Sequence, residues 1–225
     1  MVCYLSEYAP EVLTTYIKNS GYKIKYIYDN INSPTGDHPD LYMCKLGFLP
    51  TAPVFHGDIK KLNNKYPEDA IYNAACTDRF FIHNLKITSP SLLSKLGIKN
   101  ATHTSLLKDP EIVPVMVKQG YSKCNVCIVD EYSIITEDVG IAKACEKAGL
   151  NILLISRGHV RLSEFEYGFM GGATGHLGDR ILFNGNLLNH PDCEEIISFI
   201  KTRNLDIVYF EEYPLTDIGS IIIEA

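Results

Sequence analysis

Five times along the chain an aspartate stands ahead of a short apolar run. The copies are Asp40-Leu-Tyr-Met-Cys44, Asp78-Arg-Phe-Phe-Ile82, Asp130-Glu-Tyr-Ser-Ile-Ile135, Asp179-Arg-Ile-Leu-Phe183 and Asp217-Ile-Gly-Ser-Ile-Ile-Ile223, at spacings of 38, 52, 49 and 38 residues. Recurrence over several tens of residues marks a supersecondary unit that cannot bury its apolar face alone and stacks on copies of itself. Five such units in 225 residues predict a closed ring, with an axis at which the five aspartates converge.

Between the aspartates, helix and strand signals alternate, so the fold class is α/β. Pro10 opens a helix from Glu11 to Lys18 that stops at Gly21, and Tyr22–Tyr28 has the two-residue period of a strand with one wet face. Ser89-Pro90 starts a short helix, Ser91 to Lys95. Glu137-Asp138 starts another that runs to Ala148, with Gly149 as its stop and Asn151–Ile155 as the next strand. The segment from His190 to Lys201 is amphipathic, with acid in its first turn and Lys201 in its last, both complementing the helix dipole. A strand from Asp206 to Phe210 follows. The third and fourth units therefore read as strand, Asp-bearing turn, strand, helix, strand. The second agrees with a shorter helix, and the first and fifth are fragments. In a ring the N- and C-terminal pieces would meet and remove an exposed sheet edge. No linker or composition break divides residues 1–225, which are expected to form a single domain.

Composition narrows the functional classes. An apolar fraction of 46% with 21% charged residues is that of an ordinary soluble globular protein, and no apolar run nears the roughly 20 residues of a membrane span. The N-terminus lacks a basic patch followed by an apolar stretch. Seven cysteines, an odd number without scaffold spacing, suit reduced thiols and a cytoplasmic location. A net charge of −6 with scattered Lys and Arg argues against nucleic acid. Carboxylates gathered in a cleft would favour a small cationic ligand.

The densest site signal is Phe169-Met-Gly-Gly-Ala-Thr-Gly-His-Leu-Gly-Asp-Arg-Ile-Leu-Phe183. Its glycines permit close backbone approach, and the absence of a following Lys excludes a phosphate-cradling loop. His176 stands three residues before Asp179, and on a tight turn the two would pair, with Asp179 holding the imidazole in one tautomer. Asp78, in Asn73-Ala-Ala-Cys-Thr-Asp, and Asp130, beside Glu131, offer carboxylates among other polar groups, an arrangement that clamps a guanidinium. Asp40, Asp217, Asn73 and Cys76 complete the candidate substrate-binding set. Cys124-Asn-Val-Cys127 lies in an expected strand where positions i and i+3 face opposite sides. With no second Cys or His pair, it reads as core thiols, so neither a metal nor a cofactor is expected.

Five strand-turn-strand-helix units around a pseudo-fivefold axis resemble the guanidino-group-modifying enzymes, the pentein or α/β-propeller superfamily. Arginine deiminases, dimethylarginine dimethylaminohydrolases and glycine amidinotransferases belong to it, as does a small bacterial family of unknown function. The resemblance covers about Asp37 to Ala225. Gly175-His176-Leu177-Gly178-Asp179 is similar to the superfamily's His-Leu-x-Asp segment, whose histidine is the general acid and base. Asp78 resembles the early acidic residue that grips the substrate guanidinium, and Asp130 a second acidic position. The enzymes end in a cysteine nucleophile; here Ile222 or Ile223 stands in that place, and Ser220 nearby has no placed base.

The expected function is binding of a small cationic guanidino or amino compound without thiol-dependent hydrolysis. A hydrolase is the alternative, with His176 as acid/base and Cys76 or an activated water as nucleophile. A third possibility is a non-catalytic interaction module, since ribosome-binding factors look similar in their five-unit ring. Oligomeric state is not legible.

Overall fold

The structure, a computed structural model, describes residues 1–98 and 112–225. The chain opens with β1 (Val2–Ser6), α1 (Glu11–Asn19) and β2 (Lys23–Ile27), then a short helix α2 (Pro39–Tyr42) and the hairpin β3 (Met43–Lys45) and β4 (Val54–His56). Next come β5 (Ala75–Cys76), β6 (Phe80–His83), α3 (Pro90–Lys95) and β7 (Val113–Met116). The third stretch is α4 (Ser122–Asn125), β8 (Val126–Ile128), β9 (Ser133–Thr136), α5 (Val139–Ala148) and β10 (Asn151–Leu154). The last is β11 (Thr174–Leu177), β12 (Arg180–Phe183), α6 (Cys193–Lys201), β13 (Asp206–Val208) and β14 (Ile222–Glu224).

These strands form five small sheets, so the architecture is mixed α/β. In three of them a first strand runs antiparallel to the second, which runs parallel to a third across a helix: β5-β6-β7, β8-β9-β10 and β11-β12-β13. A fourth copy is assembled from the two ends of the chain. There β14 pairs antiparallel with β1, Cys3 opposite Ile223, and β1 pairs parallel with β2. The hairpin β3-β4 is a reduced copy with no third strand. The first strands touch one another in a closed cycle, β3 to β5, β5 to β8, β8 to β11, β11 to β14 and β14 back to β3.

Local sequence chemistry explains the helices. Asp138 caps α5 by accepting from the Ile141 N–H at 2.8 Å, and Gly149 ends it at φ +99°. Glu194 and Glu195 in the first turn of α6 and Lys201 in its last match the dipole. Each long side chain buried below these helices contributes roughly 1.5–3 kcal/mol. The burial follows one rule. Ile141 and Cys145 of α5 pack with Phe80 and Ile82 of the preceding sheet, Ile196 and Ile200 of α6 with Ile135 and Cys127, and Leu13 and Ile17 of α1 with Leu177 and Leu182. Each of these three helices therefore seals the seam between its own sheet and the previous one.

Two expectations need correction. Cys124 and Cys127 do not share a strand: α4 carries Cys124 into polar surroundings, while Cys127 in β8 packs in an apolar cluster. The five aspartates do not share one place either. Asp78, Asp130 and Asp179 lie between first and second strands, whereas Asp40 lies in α2 ahead of β3, and Asp217 ahead of β14. The strand ends therefore divide them three and two.

Candidate functional site

At the turn end of the first strands, residues of β3, β8, β11 and β14 enclose a cavity of about 40 Å³, room for about one water. Lys45, Phe48, Lys123, Thr174, His176 and Ile222 line it. The close approach that makes it small depends on Gly175, where a Cβ would lie 2.4 Å from Cβ of Ile221. Gly178, at φ +65°, turns the β11-β12 hairpin.

His176 is buried beneath the edge of the Phe48 ring, centroid to centroid 5.3 Å. Its Nε2 lies 3.0 Å from the Val129 carbonyl oxygen, and Nδ1 has no hydrogen-bond partner. Burial pushes the imidazole below its ordinary pKa; the Val129 carbonyl opposes this, and the Lys45 ammonium adds to it. Lys45 donates to the Ile223 carbonyl at 2.6 Å, and burial lowers its pKa to about 8 against the pull of Asp78.

Asp78 stands at the rim, where it accepts from the Phe48 N–H. Burial raises its pKa and the neighbouring Glu131 carboxylate raises it further, while Lys45 opposes the rise. Asp130, half-buried, accepts from the Tyr132 N–H at 2.8 Å, lies 3.5 Å from Nε of Arg203, and its charge reaches His176. Asp78 and Asp130 thus both reach the surroundings of His176, Asp78 through Lys45, whose charge acts on both, and Asp130 directly.

The remaining candidates lie elsewhere. Asp179 is exposed and accepts from Nε of Arg180 at 2.9 Å, so the tautomer of His176 is set by the Val129 carbonyl and not by an Asp179 pair. Arg180, the next residue, captures Asp179 at the hairpin tip and holds its pKa low. Cys76 is fully buried, its Sγ donating to the Thr77 carbonyl at 3.2 Å, and burial pushes its thiol far up; it cannot serve as a nucleophile there.

Asp40, Asp217 and Asn73 belong to the other end of the first strands. The Asp40 carboxylate accepts from Nδ2 of Asn73 at 2.9 Å, Sγ of Cys124 at 3.1 Å and Oγ of Ser220 at 2.7 Å. Asp217 accepts from the backbone N–H groups of Phe169 and Gly219. Lys123 bonds Ser220 at 2.9 Å and also lines the His176 cavity, so its side chain bridges the two ends.

Lys45, Phe48 and Glu131 were not among the expected site residues. Glu131 had a signal, since it stands directly beside Asp130. The other two come from the β3-β4 hairpin, whose aspartate lies on the wrong side of its strand to point to them.

A model for a family of unknown function, DUF6873, matches residues 51–222. The chain belongs to that family. No curated protein matches this DUF6873 member. Two solved structures are similar to it in backbone. One is a cysteine-to-serine variant of C. jejuni agmatine deiminase with substrate bound, at 10% identity and TM-score 0.49, covering 93% of this chain and 87% of that one. The other is C. jejuni agmatine deiminase, at 11% identity and TM-score 0.44, covering 93% and 86%. Among the described residues no helix is long and apolar enough to cross a membrane. All seven cysteines are free thiols, six of them buried.

Proposed function

We propose that this DUF6873 member is a five-unit α/β propeller of the guanidino-modifying type that binds a small cationic guanidino or amino compound beside His176. The closed cycle of first-strand contacts supports the propeller reading. The observation that carries the ligand reading is the pair of carboxylates at the rim. The Glu131 carboxylate adds to the rise in the pKa of Asp78, and a guanidinium or ammonium beside Asp78 relieves that repulsion.

Lys45 and Lys123 put two ammonium groups on the cavity wall, so the cationic end belongs at the rim and the wall suits a ligand oxygen. Because the cavity holds about one water, the loop bearing Gly47 and Phe48 must move aside for anything larger. Ile222, one of the two residues expected in the place of the superfamily's thiol, lines the cavity, and among the described residues no cysteine lines it, so covalent thiol chemistry has no nucleophile here.

Isothermal titration of arginine, agmatine and methylated arginines into the full chain tests this. Saturable heat with at least one of them is expected, with affinity weakened about tenfold, or about 1.4 kcal/mol, in Asp78→Asn. Absence of heat with every compound overturns the proposal. The unpartnered Nδ1 of His176 favours one alternative, hydrolysis through an activated water. Ammonia release that vanishes in His176→Ala would select it.

A further inference from the structure

The end of the first strands opposite His176 gathers three side chains from three separate parts of the chain. His38 is the residue before α2, Cys124 lies in α4, and Asp217 lies in the segment that enters β14. All three are buried, and a ligand atom from each lies within 4.8 Å of the other two. We propose that His38, Cys124 and Asp217 bind a divalent ion of the zinc class, and that this ion fastens the C-terminal segment to α2 and α4. The site lies outside the reading of the His176 cavity and does not depend on it.

The donor set is the first argument. Imidazole, thiolate and carboxylate together suit zinc, which takes sulfur at about 2.3 Å and nitrogen or oxygen at about 2.0–2.2 Å. The His38 imidazole, moreover, has no partner nearer than Asp217. Among the described residues the His38 ring makes no hydrogen bond, although it is buried, and its Nδ1 lies 3.9 Å from Oδ1 of Asp217. That gap is too long for a hydrogen bond, and a tetrahedral ion with bonds of about 2 Å to each would draw the two atoms together to about 3.3 Å. Gly219, at φ +69°, packs its backbone so closely on His38 that a Cβ would lie 2.2 Å from Cβ of His38. The ring is therefore held where it is.

An outer shell is already built. Asn73 accepts the N–H groups of Lys123 and Cys124 on its oxygen, which turns its amide nitrogen toward Sγ of Cys124 at 3.2 Å. A thiolate needs such a donor, and groups of this kind orient metal ligands. Backbone N–H groups of Phe169 and Gly219 fix the two oxygens of Asp217. Charge balance is the last argument. Two carboxylates, Asp40 and Asp217, are buried here, and the Lys123 ammonium reaches Asp40 through Ser220, so a further cation offsets the cost of burying charge. As the ion binds, Cys124 releases its thiol proton to solvent. Thiolate and Asp217 then neutralise the two positive charges, while Asp40 gives up the bond it accepted from the Cys124 thiol and keeps those from Asn73 and Ser220. No electron is transferred. Because all three ligands are buried, the ion is taken up as the chain folds.

Refolding the full chain with zinc, dialysing it and measuring bound metal by mass spectrometry is the direct test. One zinc per chain is expected, with a higher melting temperature than the chain refolded with chelator. X-ray absorption of that sample should show one sulfur neighbour at about 2.3 Å and the rest nitrogen or oxygen. Cobalt in place of zinc should give a thiolate charge-transfer band that survives Cys193→Ser and disappears in Cys124→Ser. Asn73→Ala should weaken affinity roughly 10–100-fold. A chain that retains no metal, or metal with no sulfur neighbour or with more than one, overturns the proposal on the wild-type protein alone, whether or not the variants fold.

Discussion

Nε2 of His176 lies 3.0 Å from the carbonyl oxygen of Val129, the residue immediately before Asp130. A carbonyl only accepts, so Nε2 carries the proton and the lone pair sits on Nδ1. The acidic turn that brings Asp130 to the site therefore also sets the imidazole tautomer. Burial is the largest influence on this ring and Lys45 acts in the same direction. NMR titration should find His176 below the ordinary imidazole value of 6.5, and moved upward in Lys45→Met. A wild-type ring titrating at or above that value would contradict this geometry.

Removal of Asp40 should be costly. Its carboxylate receives three side-chain donors, from Asn73, Cys124 and Ser220, all of them buried. Asp40→Ala leaves those donors without an acceptor in a region closed to water, at an expected cost of about 3–5 kcal/mol. Urea unfolding would read this as a lower midpoint at unchanged slope. A loss below about 1 kcal/mol would mean that water replaces the carboxylate.

His83 should make the fold acid-sensitive. It is fully buried at the end of β6, with Nε2 2.7 Å from the Gly120 carbonyl oxygen and Nδ1 2.7 Å from Oγ1 of Thr88, and burial lowers its pKa to about 4. The unfolded chain takes up this proton near 6.5 and the folded chain only near 4. The contribution is thus fully present above 6.5 and is lost as pH falls toward 4. Up to roughly 3 kcal/mol is at stake. Comparing denaturation of wild type and His83→Gln across that window isolates it, since the variant should show a shallower decline. Parallel declines would remove His83 as the cause.

What could be read from the sequence follows from how local each signal is. The unit β9-α5-β10 is legible because its start and stop are written in single residues, Asp138 and Gly149, whose roles need no distant partner. The meeting of β14 with β1 follows from counting fragments. Which side of a first strand each aspartate occupies is not legible, because an aspartate before an apolar run looks the same ahead of β3 as in the β5-β6 turn. Asp40 and Asp217 therefore look like the other three in sequence although they sit at the opposite end of the first strands. Cys124 is buried as expected, but its polar surroundings are hidden in the sequence for a related reason. Its neighbour Cys127 is a core residue, and the polar groups that surround Cys124 come from Asp40, Asn73 and Ser220, far away in sequence. The pairing of Asp179 with Arg180 was visible in principle, since the two are adjacent.

The central claim is that Asp78, Glu131 and His176 border one cation-binding place. The most direct measurement is the NMR signal of the His176 ring, followed while agmatine or arginine is added to the full chain. A saturable shift of that ring, weakened in Asp78→Asn, is the predicted result. An unchanged His176 ring would contradict it. So would shifts confined to the separate cavity of about 530 Å³ bordered by Glu137, Tyr167 and Phe169.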